Sequence, residues 1–181
     1  MSTKPKAAFF DRDGVINEDA GYLYRIEDLR FLEGAKETLA YLAGLGYKII
    51  IVTNQSGIAR GYYTVADMEK LHAYMIREIE AAGGRVDRIY YCPHHKEGKV
   101  KEYAVDCQCR KPKPGMVLSA IEEFGLDASK SFLIGDSARD IEAAESAGVK
   151  GFLFKGGSLL AFTREVLQKM GALQAQLLPG E

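Results

Sequence analysis

Short apolar runs alternate along the chain with longer amphipathic stretches, and this rhythm predicts alternating strands and helices. Ala7–Phe10, Tyr47–Val52, Arg88–Tyr91, Ser131–Gly135 and Gly151–Phe154 read as strands. They are brief and mostly apolar on both faces, the pattern of strands buried in a parallel sheet. Between them, apolar positions recur at helical spacing. Leu39, Leu42 and Leu45 mark one face of a helix over Ala35–Leu45. Thr64–Ala82 opens on an N-cap residue type and stops at Gly83-Gly84. Pro114–Phe124 has proline near its first turn and Gly125 after its end. Ala138–Ala147 is followed by Gly148, and Leu159–Met170 by Gly171. The tail from Gln174 to Glu181 is expected to fray. The pattern predicts an α/β fold with a doubly wound, mostly parallel sheet.

In such sheets ligands bind outside the carboxyl ends of the strands. The polar residues that follow each strand are therefore the ones to inspect: Asp11-Arg12-Asp13-Gly14, Thr53-Asn54-Gln55-Ser56, Cys92-Pro93-His94 and Asp136-Ser137.

Composition narrows the classes. The chain has 181 residues, 47% hydrophobic and 27% charged, with a formal net charge of −1. That length suits one domain over 1–181 with a real core and no separate cap. The near-neutral charge lacks the basic footprint of a nucleic-acid binder. No apolar run reaches the length of a membrane span, and Met1–Lys6 lacks the apolar core of a signal peptide. A cytoplasmic monomer acting on a small molecule is expected.

Asp11 and Asp13 place two carboxylates two residues apart directly after a strand. Like charges this close raise the cost of ionising one another, and a cation beside them removes that cost. Mg²⁺ suits such a site because it prefers oxygen ligands and takes few protein carboxylates. Asp-x-Asp-Gly is also a turn sequence, so this motif alone does not decide between chemistry and geometry. Three further groups do: Thr53-Asn54 at the end of the second strand, Arg110-Lys111 before a helix, and Asp136 at the end of the fourth strand, with Asp140 one helical turn on. Each has a plain reading as a cap or a solvated loop, but together and in this order they form a specific constellation.

These residues resemble the four motifs of the haloacid dehalogenase superfamily of phosphotransferases, over roughly Ala7 to Phe154. The resemblance implies that Asp11 attacks phosphorus and that Asp13 acts as general acid and then base. It implies Mg²⁺ held by Asp11, the Asp13 backbone carbonyl and Asp136, with Thr53 and Lys111 on the transferring phosphoryl group. Asp140 is read as orienting the metal site or Lys111.

All three cysteines fall in one cluster: Cys92-x-His94 and, after a loop, Cys107-x-Cys109. Three cysteines and a histidine are the donor set of a structural Zn²⁺ site, with His95 as the competitor for His94. An odd count without an export signal argues against a disulfide framework. Closing this loop would fix the backbone that aims Arg110 and Lys111. His72, inside the helical Thr64–Ala82 stretch, has no evident role.

The zinc loop narrows the resemblance to the histidinol-phosphate and heptose-bisphosphate phosphatase branch. Asp11–Asn17, Thr53–Gly61 and Cys109–Pro112 carry it, and the long loop from His95 to Asp106 favours the heptose enzymes. Asp19, Gly21 and Tyr22 are similar to that group's substrate-contacting segment. The implied substrate is a heptose 1,7-bisphosphate losing its 7-phosphate, with Asn54, Gln55, Ser56, Arg110, Lys111 and Ser137 as further contacts. Ser137 departs from relatives that carry a basic residue there. Histidinol phosphate remains the alternative substrate. A zinc module without catalysis is disfavoured by the complete set of motif residues, and a nucleic-acid 3′-phosphatase by the neutral charge.

Overall fold

The computed structural model describes residues 4–177. β1 (Ala7–Phe10) is followed by α1 (Ala35–Gly44) and β2 (Lys48–Asn54), then by the single-turn α2 (Gly57–Arg60) and α3 (Val65–Ala81). β3 (Arg88–Cys92), α4 (Gly115–Phe124), β4 (Phe132–Gly135), α5 (Ala138–Ser146), β5 (Lys150–Leu153) and α6 (Leu159–Leu177) complete the chain. The five strands are parallel, in the order β3-β2-β1-β4-β5.

The two-residue period of the strands sorts their side chains into two cores. Ala8 and Phe10 of β1 join Ile49, Ile51, Phe132 and Ile134 on one face, covered by α1, α3 and α6 through Leu39, Leu42, Leu71, Met75 and Val166. Ala7 and Phe9 join Ile50, Val52 and Leu133 on the other, covered by Met116 and Val117 of α4 and Ala144 of α5. Covering both faces explains why the strands read as continuous apolar runs. Each large side chain so buried contributes about 1.5–3 kcal/mol relative to exposure.

The chain builds outward from β1 to β2 and β3, then crosses back to lay β4 on the other side of β1. That reversal opens a crevice at the carboxyl ends of β1, β2 and β4. Among the described residues there is no second sheet, and the long segments 11–34 and 93–114 border this crevice. No described helix is long and apolar enough to cross a membrane.

Two element ends differ from the apolar pattern by more than one residue. β2 continues through Thr53 and Asn54, which pair with Tyr91 and Cys92; polar side chains do not end a strand whose backbone still has a ladder partner. α6 passes Gly171 and runs to Leu177. A helical glycine costs only about 1 kcal/mol relative to alanine, and the Ala, Leu and Gln that follow are good helix formers. Gln174–Leu177, expected to fray, are therefore helical, while 178–181 lie outside the described residues.

Two glycines let the crevice close tightly. Gly14 has φ +83°, and a β-carbon there would sit 2.1 Å from Asp136 Oδ2. At Gly135 a β-carbon would fall 2.2 Å from Asp140 Cβ. Gly135→Ala is expected to push the start of α5 away from β4 and lower stability by about 1–3 kcal/mol, the usual cost of overpacking. Urea unfolding checks this; an unchanged midpoint would show that α5 can shift freely.

Candidate active site

Asp11 follows β1 and is 6% exposed. Its backbone N–H donates to Ile134 O of β4 at 3.1 Å, which carries the β1–β4 pairing on to Asp11. Lys111, 2% exposed, reaches in from the loop before α4. Its Nζ donates to Asp11 Oδ1 at 2.9 Å and to Val52 O at 2.8 Å, and pairs with Asp140 Oδ1 at 2.7 Å. Asp11 Oδ1 also accepts the N–H of Arg12, and Oδ2 has no protein donor among the described residues. Burial pulls Lys111 down, but Asp11 and Asp140 outweigh it and hold its ammonium above the usual range. Burial pushes the Asp11 carboxyl up to about 7, against the pull of Lys111 and with the push of Asp140 and Asp13.

Asp13 is gripped through both oxygens. Its Oδ1 accepts from Arg12 Nε at 3.2 Å, Arg12 Nη2 at 3.0 Å and Asn17 Nδ2 at 3.0 Å. Among the described residues its Oδ2 accepts only from Gln55 Nε2, at 3.2 Å. Gln55 is itself aimed: its Oε1 accepts from Tyr63 at 2.5 Å, and its Nε2 also donates to Thr53 Oγ1 at 2.7 Å. Burial pushes the Tyr63 phenol up to about 12, so it stays a donor.

These groups open onto a cleft of about 400 Å³, whose lining includes Asp11, Asp13, Lys111 and Asp136. Asp136 is raised above the usual carboxylate range by burial and by the neighbouring Asp140. Asp11, Asp136 and Asp140 each offer an oxygen within 4.8 Å of the others. Two of these carboxylates pair with one lysine, and the third, Asp136, lies beside them. Among the described residues no N–H donates to the Asp13 backbone carbonyl. The excess of negative charge and the oxygen-only donors fit Mg²⁺.

A second cluster lies at the end of β3. Cys92, His94, Cys107 and Cys109 bring one ligand atom each within 4.8 Å. Cys107 Sγ is 3.5 Å from Cys92 Sγ and 3.5 Å from Cys109 Sγ, and His94 Nδ1 is 3.7 Å from Cys92 Sγ and 3.4 Å from Cys109 Sγ. A tetrahedral zinc ion sets sulfurs about 3.8 Å apart and sulfur and nitrogen about 3.5 Å apart, so the four groups fit one. His95 is turned away, with its Nε2 3.2 Å from Arg60 Nη2.

Sequence comparison places these features among known proteins. Residues 108–176 match the model of the HAD-hydrolase-like family. D-glycero-beta-D-manno-heptose-1,7-bisphosphate 7-phosphatase of Rhodopseudomonas palustris is 44% identical over 164 residues, covering 91% of this chain and 91% of that protein. The protein of the same name from Escherichia coli K12 is 42% identical, covering 82% of this chain and 78% of that protein. The chain belongs to the heptose-bisphosphate phosphatase family of HAD-like hydrolases. The crystal structure of D,D-heptose 1,7-bisphosphate phosphatase from B. bronchiseptica, complexed with magnesium and phosphate, matches with a TM-score of 0.78 at 30% identity. It covers 91% of this chain and 99% of that one.

Most of the residues read from the motifs of this family converge. Asp19, Gly21, Tyr22, Asn54, Gln55, Ser56 and Arg110 line the same cleft as Asp11, Asp13, Lys111 and Asp136. Asn54 clasps the basic loop: its Nδ2 donates to Lys111 O at 3.1 Å, and its Oδ1 accepts the Lys111 N–H at 3.0 Å. Two residues sit differently. Thr53 is 1% exposed, does not line the cleft, and its hydroxyl accepts from Gln55. Ser137 also does not line the cleft; its Oγ donates to Asp140 Oδ2 at 2.8 Å in the capping box of α5. A helix start takes the side chain that was expected to meet substrate.

Tyr63 and Arg139 also line the cleft and lay outside the motif segments, and Arg60, inside Thr53–Gly61, lines it without having been given a role. Arg139 carried a weak signal, lying three residues after Asp136 on the first turn of α5. Arg60 and Tyr63 sit in a helical turn and a loop whose path only the fold decides.

Asp140 is 0% exposed and holds Lys111 beside Asp11. Asp140→Ala is expected to destabilise the protein by about 3–5 kcal/mol, because it strands half of a buried ion pair. Chemical unfolding measures it; a loss below about 1 kcal/mol would show that Asp11 alone balances the lysine.

Proposed function

We propose that this protein is a phosphatase that removes the 7-phosphate of D-glycero-D-manno-heptose 1,7-bisphosphate through an aspartyl phosphate on Asp11. Asp11 Oδ2, the oxygen without a protein donor, attacks phosphorus as the bond from phosphorus to the sugar oxygen breaks. Asp13 gives its proton to that oxygen. Its Oδ1 is taken by three N–H groups, so the proton is carried on Oδ2. In the second step Asp13 Oδ2 takes a proton from water, the water oxygen bonds to phosphorus, and the bond to Asp11 breaks. Lys111 draws charge from the phosphoryl oxygens as it spreads over them. Thr53 acts through Gln55, which it helps to aim at Asp13. Asp11, the Asp13 carbonyl and Asp136 would hold Mg²⁺, which when bound offsets the charge of nucleophile and phosphate. Cys92, His94, Cys107 and Cys109 would hold a structural Zn²⁺ that sets the backbone leading to Arg110 and Lys111.

The observation that carries the substrate assignment is the division of cations in the cleft. Lys111 sits at the floor beside Asp11 and Asp140, where it serves the transferring phosphoryl group. Arg60, Arg110 and Arg139 remain along the walls. Three guanidinium groups exceed what one transferring phosphoryl group needs. They suit a second phosphate and disfavour the ammonium of histidinol phosphate. The related proteins named as heptose bisphosphate phosphatases support the same reading.

Side-by-side turnover of both anomers of the bisphosphate and of histidinol phosphate tests the substrate. The bisphosphate is expected to have the highest kcat/KM, and a preference for histidinol phosphate overturns the assignment. Arg110→Ala should raise KM for the bisphosphate by roughly 10–100-fold, the worth of a charge-assisted pair. It should leave monophosphate sugars little changed, and equal losses on both would remove Arg110 from the distal phosphate.

Elemental analysis after dialysis should find tightly held zinc at one ion per chain and exchangeable magnesium. Cys107→Ser is expected to release the zinc and lower Tm by roughly 4–8 °C, equivalent to a loss of about 2 kcal/mol in a chain of this size. A zinc-free protein with the wild-type melting temperature would show the cluster to be incidental.

A further inference from the structure

Arg12, between the two motif aspartates, is a charged side chain with 0% exposure. Guanidinium is strongly hydrated in water, and its burial is tolerated only when its N–H groups are paired. Arg12 spends two of them on Asp13 Oδ1, one on Leu23 O at 3.0 Å, and one on His72 Nε2 at 3.1 Å. His72 belongs to α3 and lies sixty residues from Arg12 in sequence. It is 7% exposed. An imidazole can accept from a guanidinium only when neutral. Burial and the charge of Arg12 together push His72 down to about 3, so it stays neutral.

The contact has a direction. Arg12 is a planar fork attached next to Asp13, and its plane is set by what each end meets. Leu23 O and Asp13 Oδ1 engage one edge, and His72 is the partner of Nη1 at the other. Without an acceptor there, Nη1 is a buried unsatisfied donor, and the fork turns to find another. Asp13 Oδ1 then loses two of the three donors that hold the carboxyl in place. We infer that His72 is a positioning residue for the phosphatase reaction: through Arg12 it fixes the orientation of the Asp13 carboxyl, and with it the direction in which Oδ2 faces the leaving oxygen. The inference rests on the role of Asp13 proposed above. Tyr63 and Gln55 do the matching task at Oδ2, so Asp13 is aimed from α3 on one side and from the segment between β2 and α3 on the other.

A purely structural histidine and a positioning one differ in how their loss depends on the leaving group. Under kcat/KM conditions the step that matters is phosphoryl transfer to Asp11. A sugar alkoxide must be protonated as it leaves, whereas p-nitrophenolate leaves as a stable anion. The experiment compares kcat/KM for D-glycero-D-manno-heptose 1,7-bisphosphate and p-nitrophenyl phosphate in wild type, Asp13→Asn, His72→Leu and His72→Gln. His72→Leu is expected to lower kcat/KM for the sugar phosphate about tenfold or more, as small misplacements of catalytic groups do. It should change the aryl ester by less than about threefold, since that ester needs little acid assistance. His72→Gln, whose amide oxygen restores an acceptor for Arg12, should bring the sugar phosphate back towards wild type.

Equal losses on the two esters in His72→Leu, or no loss, would overturn the positioning role. Failure of His72→Gln to rescue would do the same. Should His72→Leu not fold, His72→Met supplies the same comparison with a side chain that accepts only weakly. Asp13→Asn separates this inference from the one beneath it. A leaving-group split in Asp13→Asn without one at His72 refutes the inference alone, and no split in Asp13→Asn refutes the acid role and the inference with it. If wild type does not turn over the bisphosphate, the substrate assignment fails, and the split is then read on histidinol phosphate.

Discussion

The ammonium of Lys111, buried between Asp11 and Asp140, is the interaction on which the rest of the site depends. Carboxylates from the end of β1 and the first turn of α5 are brought close together where water is largely excluded. Each would resist ionising in that setting, and Lys111 lets them share one place. Its backbone is held by the side chain of Asn54 and its Nζ by Val52 O, so β2 contributes two further anchors. The crevice between β1, β2 and β4 is thereby tied together by one side chain from a loop outside the sheet.

That loop needs its own support. It leaves the cysteine cluster at Cys109 and enters α4 at Gly115, with no strand or helix of its own between them. Lys113 Nζ donates to Cys107 O at 2.7 Å, and Gly115 N–H to Gln108 O at 3.0 Å, folding the loop back on the cysteine cluster. Cys92 O accepts the N–H of Gln55 at 2.8 Å, so the same cluster borders the residue that aims at Asp13. The cysteines and the acidic site are one mechanical unit, although they share no ligand.

Much of this site is legible in the amino-acid sequence. Strands and helices follow from periodicity, since burial on both faces leaves an unmistakable apolar run. Asp11, Asp13, Asp136 and the cysteine cluster stand out because reactive residue types sit at fixed, short spacings at strand ends. Asn54, Gln55 and Ser56 follow from their position after β2. What escapes are residues whose meaning depends on a partner far along the chain. In sequence Arg12 is a spacer between two aspartates, and His72 an ordinary helical histidine. Ser137 reads as free for substrate because Asp140, its partner in the cap, has a rival claim on it from Lys111.

The sequence by itself determined the class of fold, the residue types of the acidic centre and those of the cysteine–histidine cluster. These are properties of residue type and local spacing, and hydrophobic period and ligand chemistry act through neighbours a few positions apart. Only the tertiary structure decided which side chains carry which duty. It turned Thr53 and Ser137 from the cleft towards internal partners, brought Arg60 and Arg139 to its walls, and laid His72 against Arg12. Those outcomes depend on long-range packing of helices against a sheet, where a buried charge takes whichever acceptor the fold brings within about 3 Å.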